Sequence, residues 1–334
     1  MSEGIYILAN DVVYEQLVAL LNSIEVNAGK NYPVCVIPYD DRLDRVKGEV
    51  ERRNNVEILG DKEIISLWEG FASEIWKTHP DAFKVWEKDG ISGVYRLGMH
   101  RRFCAFDGIF DKFIYLDADI LVLNSLEYIF GQLNHSDFVV YDFQHKDVTH
   151  VYDINSQKLR DVFLQSRLDY EIFCAGMYGG RRGIFNGEMR EYLLSQLRQG
   201  DGEILYMNAP DQTILNYMVM KSGISSYNFA HHLGKDEVTG CCVTSPHFQE
   251  KNHVLYDNAN RLTYLHYIGL SSALFSKVCA GENIIFPYRD IFLHYRYFHE
   301  PEKRPKFTTK PKVYNAPPSL ATRVLRKLGI KVEV

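Results

Sequence analysis

The 334-residue sequence contains no apolar run approaching the roughly 20 residues that a membrane-spanning helix needs, so it offers no candidate span. Its first residues have neither the basic start nor the apolar stretch of a secretory signal, and a cytoplasmic protein is expected. Cysteine is sparse: six residues, with no Cys-x-x-Cys pair, exclude a zinc ribbon and argue against a disulfide scaffold. Cys35 lies within the apolar run Val34-Cys35-Val36-Ile37, and Cys241 and Cys242 are adjacent, which suits reduced and mostly buried thiols. There is no internal repeat and no low-complexity tract. A net positive charge is also missing from most of the chain, since residues 1–300 carry a net −12. That balance excludes nucleic-acid backbone binding outside the last 34 residues, which carry +7.

What is present is a chain with 46% apolar residues, long enough to bury a large core. Strand and helix patterns alternate along it. Gly4 to Ala9 reads as a short buried strand ending at Asn10-Asp11, and Tyr14 to Ile24 as the following helix, with Leu17, Leu20, Leu21 and Ile24 at helical spacing. Tyr32–Pro38 and Val56–Leu59 read as the next strands, with a charged helix over Arg42–Asn54 between them. The spacing predicts helix over Tyr95–Phe106 and further strands at Ser136–Asp142 and Ile172–Tyr178. This order predicts an α/β, Rossmann-like sheet with helices on both faces, whose ligand sits beyond the carboxyl ends of the strands.

One stretch carries chemistry on its face. In Phe113-Ile114-Tyr115-Leu116-Asp117-Ala118-Asp119-Ile120-Leu121-Val122 an apolar run breaks to place two carboxylates one residue apart, then resumes. Two unpaired carboxylates at the end of a buried strand repel each other and lose hydration. A divalent cation resolves the conflict, because oxygen ligands at i and i+2 of an extended chain share one side. An ordinary surface turn after a strand uses the same tripeptide, but the apolar flanks favour the metal.

Four separated blocks then resemble the GT-A fold glycosyltransferases, and within them glycosyltransferase family 8, the glycogenin and galactosyltransferase group. They are Ile7-Leu8-Ala9-Asn10-Asp11 with Tyr14; Tyr95-Arg96-Leu97 followed by Tyr115-Leu116-Asp117-Ala118-Asp119; Phe173-Cys174-Ala175-Gly176-Met177 with Asp211-Gln212-Thr213-Ile214-Leu215-Asn216; and His266-Tyr267-Ile268-Gly269. The resemblance implies a GT-A domain over residues 1–300 and a metal-dependent, retaining transferase that moves a hexose from a UDP-sugar to a saccharide or lipid-linked acceptor. It implies Asp117, Asp119 and His266 as ligands of Mn²⁺ or Mg²⁺, imidazole suiting Mn²⁺ better. Asp211 and Gln212 become the reaction-centre residues. Ala9, Asn10, Asp11, Tyr14, Arg96, Ala118, Ala175, Gly176 and Gly269 become the nucleotide-sugar contacts. Each has a plainer reading as well: Asn10 and Asp11 as a turn or helix cap, Asp211 as a cap after Pro210, Arg96 as a helix-surface charge and His266 as a core histidine.

The chain also departs from the family. Cys174 stands where the family has asparagine, and Gly269-Leu270-Ser271-Ser272-Ala273 lacks the family's diphosphate-binding lysine. Lys277, Arg289 and Arg296 are candidates to replace it. Asp142, Gln144 and His145 are candidates on the acceptor side, and Phe286–Phe298 is either an aromatic and basic acceptor surface or a packed helix with snorkelling arginines. A nucleotidylyltransferase shares the acidic site, but Ala9-Asn10-Asp11-Val12-Val13 has neither the glycine nor the lysine that cradles a triphosphate. A non-catalytic nucleotide-sugar binder is the other alternative. The basic segment 301–334 reads as proline-punctuated extended chain, then a short amphipathic helix beginning near Ser319. That helix suits either an anionic membrane surface or a seat on its own domain.

Overall fold

The computed structural model describes residues 1–315, so the helix expected near Ser319 lies outside the described residues. Its centre is a seven-stranded mixed sheet. The strands are β1 (Glu3–Ala9), β2 (Val34–Pro38), β3 (Val56–Ile58), β4 (Lys112–Asp117), β6 (Phe138–Val140), β7 (Met177–Arg181) and β8 (Ser226–Asn228), while β5 (Ile120–Val122) lies outside it. Their order is β3-β2-β1-β4-β7-β6-β8. The first four are parallel, whereas β7 runs antiparallel to both β4 and β6. The mixed α/β architecture is therefore the expected one.

The alternation of β1 and β4 side chains divides the core. Tyr6, Leu8, Phe113 and Tyr115 face one layer. Ile5, Ile7, Ile114 and Leu116 face the other. The first layer is covered by α3 (Lys62–Lys77), where Asp61 caps the helix and Trp68, Phe71, Ala72, Ile75 and Trp76 fall on one buried face. The second is covered by α1 (Tyr14–Asn27), through Leu17, Leu20, Leu21 and Ile24. Burying a side chain of this size contributes about 1.5–3 kcal/mol, so the two layers hold the strand ends rigidly beneath the site.

Three elements differ from the sequence expectation. The Tyr95–Phe106 region is a run of 3₁₀ turns over Leu97–Phe106, entered through Arg96 in a left-handed conformation at φ 51°. Short tight turns suit a segment whose role is to bury Arg102 and Phe103 rather than to extend. The strand expected at Ile172–Tyr178 begins at Met177, because the backbone of Phe173 is bonded in both directions to the side chain of Asn216 instead of a neighbouring strand. The charged helix, α2, is shorter than expected, spanning Asp44–Val50.

The Phe286–Phe298 segment is the packed helix of the two readings. Ile291, Phe292, Leu293 and Tyr295 of helix Arg289–Arg296 are buried, Arg296 pairs with Glu15 of α1 at 2.5 Å, and Arg289 bonds Asn283. Residues 301–315 run over the surface, with Lys312–Val313 pairing beside Ile284–Ile285. No helix among the described residues is long and apolar enough to cross a membrane.

Candidate active site

The chain leaves the main sheet at Asp117-Ala118-Asp119. β4 ends at Asp117, and β5 turns away to pair antiparallel with strand Tyr264–His266. Register places His266 opposite Ile120, and the Tyr267 N–H donates to the Asp119 carbonyl at 2.9 Å. Thus a strand far away in sequence, paired with β5, delivers the imidazole to the two carboxylates. One ligand atom from each of Asp117, Asp119 and His266 lies within 4.8 Å of the others.

The antiparallel pairing of β4 with β7 brings in the next block. The Asp117 N–H donates to the Gly176 carbonyl at 2.8 Å. A Cβ on Gly176 would sit 2.4 Å from the His266 ring, so only glycine leaves the imidazole its place. Helix Pro210–Ser222 completes the assembly, its Gln212 accepting from the Ala175 N–H at 3.1 Å and donating to the His150 carbonyl at 2.8 Å. Asn216, one turn on, pins Phe173 through the two bonds already described. These bonds give a physical reason for the spacing of Asp211, Gln212 and Asn216 on one helix.

Arg102 links the two halves. It is almost fully buried and donates to Asp117 at 2.9 Å and to the Ala175 carbonyl at 2.8 Å, while its guanidinium lies 3.1 Å from Asp211. The Tyr115 hydroxyl adds a bond to Asp117 at 2.7 Å. Arg96 stands apart from these carboxylates in the wall of a neighbouring cavity, whereas the arginine between them is Arg102. Its signal was the alternation of His100, Arg101 and Arg102 with apolar residues, which one sequence does not distinguish from a charged helix face.

Electrostatics polarise the cluster. Burial raises the Asp117 carboxyl above its usual range, outweighing the Arg102 charge that opposes it. Burial also works against ionised Asp119, yet the neighbouring His266 carries that carboxyl below the usual range. His266, 3.3 Å from Asp119, is in turn held protonated well above ordinary imidazole despite its burial. A proton on His266 is thus doing what a cation would do. Two carboxylates and an imidazole, all partly or fully withdrawn from water, form a donor set that fits a borderline divalent ion.

Beside the carboxylates is a cavity of about 390 Å³, lined by Ala9, Asn10, Val12, Val13, Gln16, Tyr39, Arg42, Arg96, Met99 and Asp117 to Asp119, and closed by Leu270 and Ser272. Of the expected nucleotide-sugar contacts, Ala9, Asn10, Arg96 and Ala118 line this cavity. Asp11 and Tyr14 are not in its lining. Asp11 accepts from the Val46 N–H at 3.0 Å, and Tyr14 bonds Glu49 beneath the Arg45 guanidinium. Asn10 also fills its plainer role, capping Asp11–Val13 through the Val12 N–H. Asp211 does not cap its helix; Ala209 holds that position. Gly269 has a left-handed φ of 80°, making a turn rather than a wall of the cavity. Lys277, Arg289 and Arg296 are all absent from the lining. A larger cavity of about 740 Å³, bounded by Glu25, Arg53 and His299, lies away from this cluster and contains none of its carboxylates.

Asp142 is buried behind the site, accepting from the Gln144 and Cys174 N–H groups at 2.6 and 3.2 Å. Burial pushes its carboxyl up to about 7. An unfolded aspartate titrates near about 3.9, so between these values the folded chain holds a proton that the unfolded chain has released. This contribution is complete below pH ~4 and is lost as pH rises to ~7, a change with a ceiling of about 4 kcal/mol. Asp142→Asn should remove it. Urea unfolding of both proteins at several pH values from 4 to 8 checks this, and parallel stability profiles would refute it.

No protein-family model matches the chain, and no curated protein matches it in sequence. Solved structures do. The WbbM bifunctional glycosyltransferase is 14% identical over 91% of this chain with a TM-score of 0.54, and the chain spans 52% of that protein's length. The galactosyltransferase LgtC, with donor and acceptor sugar analogues, is 14% identical over 83% of this chain and 94% of its own, at a TM-score of 0.49. GlyE of Streptococcus pneumoniae is 11% identical over 93% of this chain and 66% of its own, at 0.42. The fold is that of the GT-A glycosyltransferases.

Proposed function

We propose that the protein is a metal-dependent glycosyltransferase of the family 8 type, moving a hexose from a UDP-sugar to a saccharide or lipid-linked acceptor with retention of configuration. The observation that carries the proposal is the continuous arrangement from Asp119 and His266 through Asp117 and Arg102 to Asp211 and Gln212. A binding protein needs the first half of it, whereas the second half serves chemistry at a sugar.

Asp117, Asp119 and His266 would hold Mn²⁺ or Mg²⁺, which supplies positive charge to a departing diphosphate. Asn10 and Arg96 border the space for the nucleotide. Asp211, oriented by Arg102, can accept hydrogen bonds from donor-sugar hydroxyls. The Gln212 amide is a poor nucleophile and is already held at both atoms by backbone groups, which favours front-face substitution over a covalent intermediate. In that reading its oxygen uses a remaining lone pair to stabilise positive charge at the anomeric carbon, and the leaving phosphate takes the acceptor proton.

The test is UDP release by the purified protein with a panel of UDP- and GDP-sugars, with Mn²⁺ and with chelator. The expected result is release from one UDP-hexose that the chelator abolishes. Donor binding without turnover, even with a broad acceptor panel, would instead support a nucleotide-sugar binding protein.

A further inference from the structure

The last part of the chain departs in charge from everything before it. Between Glu302 and Glu333 lie nine basic residues and no acidic one, while residues 1–300 carry a net −12. Five of the nine, Lys303, Arg304, Lys306, Lys310 and Lys312, fall among the described residues. Lys303 pairs with Glu300 at 2.6 Å and Arg304 with Asp290 at 3.4 Å. Lys306, Lys310 and Lys312 stand exposed.

This segment is fixed to the domain rather than trailing from it. Phe307 packs beneath the Arg289 guanidinium, 4.6 Å away. The Asn283 side chain donates to the Thr309 carbonyl at 2.6 Å, and the Lys312 and Tyr314 N–H groups donate to the Asn283 and Ile285 carbonyls at 2.8 and 3.0 Å. The result is a short parallel pair in which Ile284 meets Lys312 and Ile285 meets Val313.

The pair turns apolar side chains outward. Register partners in a sheet project to the same face, and Ile285 and Val313 are 42% and 53% exposed, with Tyr314 next to them at 39%. Single exposed apolar residues are ordinary, whereas a set held in register by backbone bonds marks a surface of interaction. A cavity of about 470 Å³ beside them is lined by Lys310 and Lys312, with Glu282 as its only carboxylate. Apolar side chains bordered by exposed ammonium groups match the boundary of an anionic bilayer, where acyl chains receive the first and lipid phosphates the second. Nucleic acid offers phosphates without an apolar layer and is repelled by the net −12 of the remaining chain. A second copy would bring the same lysines against these.

We infer that the face formed by Ile285, Val313, Tyr314, Lys310 and Lys312 seats on an anionic phospholipid surface. The helix Ser272–Cys279 starts in the wall of the carboxylate cavity, is about 12 Å long, and leads through Gly281 into Ile284–Ile285. Seating therefore holds that cavity close to the membrane, which favours the lipid-linked over the free saccharide acceptor; this last step alone rests on the transferase reading.

The test is cosedimentation of the full chain with vesicles of phosphatidylcholine alone and of phosphatidylcholine mixed with phosphatidylglycerol, without donor or metal. The expected result is binding to the mixed vesicles that falls steeply with added salt and is nearly absent on phosphatidylcholine. Lys310→Gln with Lys312→Gln is expected to weaken it about 10-fold or more, and Ile285→Asp with Val313→Asp by a similar factor. All four positions are exposed, so unchanged melting temperatures should accompany the losses. No binding to the mixed vesicles, or undiminished binding in both double variants, would overturn the inference. Capture of duplex DNA as strong as that of the vesicles, weakened by the lysine variant and not by the apolar one, would reassign the face to nucleic acid. A dimer in light scattering that the apolar variant dissociates would reassign it to a second copy. Each of these outcomes leaves the transferase reading standing, because no donor is present. Failure of every donor to release UDP removes the acceptor assignment and leaves the seating as measured.

Discussion

Asp119→Ala is expected to reduce metal-dependent turnover of the donor by about 10³-fold or more, a loss in the range seen when the charge that stabilises a leaving group is removed. The reason lies in the apo cluster. Asp119 is kept ionised by His266, and His266 is kept protonated by Asp119, so each maintains the other in a buried place. A divalent ion held by Asp117, Asp119 and His266 would supply the positive charge that this proton supplies. With Asp119 gone, His266 loses its partner at 3.3 Å and reverts toward a neutral imidazole, and Asp117 remains as the sole carboxylate ligand. Stability without metal changes little, because losing the His266 pair is offset by losing the repulsion between Asp117 and Asp119. Mn²⁺ is the discriminating reagent. At 100 times its dissociation constant an ion stabilises the wild type by about 2.7 kcal/mol, or several degrees in melting temperature. The variant should show no such rise, and an undiminished Mn²⁺ shift in Asp119→Ala would rule out the three-residue metal site.

The parts of this arrangement that were legible in the sequence are those in which one local pattern has one cause. An apolar run interrupted by Asp117 and Asp119 is costly in any setting, so it stood out without knowledge of the fold. The strand at Gly4–Ala9 was equally plain, since alternation between two buried layers makes every side chain apolar. What was hidden depends on partners far apart in the chain. Tyr14 sits in the right block but points at Glu49 and Arg45, which one sequence cannot pair with it. Asp11 is likewise spent on the Val46 N–H of α2. The Ile172–Tyr178 segment reads as strand by composition, but Phe173 near its start is held by Asn216, 43 residues on, and a side chain that bonds backbone competes with strand pairing. Gly176 reads in the sequence as a nucleotide-sugar contact, and only the fold shows that its missing side chain makes room for the ring of His266.

Arg102 was hidden for the same reason, and its substitution should give the largest loss of stability. Arg102→Met is expected to destabilise the protein by about 3–5 kcal/mol, the cost of leaving buried charge uncompensated when one partner of a buried pair is removed. Among the acceptors affected together are Asp117, Asp211 and the Ala175 carbonyl. Arg102→Lys should recover part of the loss only, because an ammonium on a flexible stem cannot serve three directions that the planar guanidinium serves at once. Coupling identifies the cause. If the cost comes from stranded carboxylates, adding Asp211→Asn to Arg102→Met should return about 0.5–3 kcal/mol, although Asp211→Asn alone is destabilising. Urea unfolding of the four proteins supplies this cycle, read as midpoints and slopes. A midpoint for Arg102→Met equal to wild type would show that the carboxylates do not depend on the guanidinium. Strict additivity in the cycle would show that Arg102 acts by filling space. Turnover should follow a different order, with both arginine variants inactive, since a lysine that restores charge still leaves Asp117 and Asp211 without the common fork that fixes their separation.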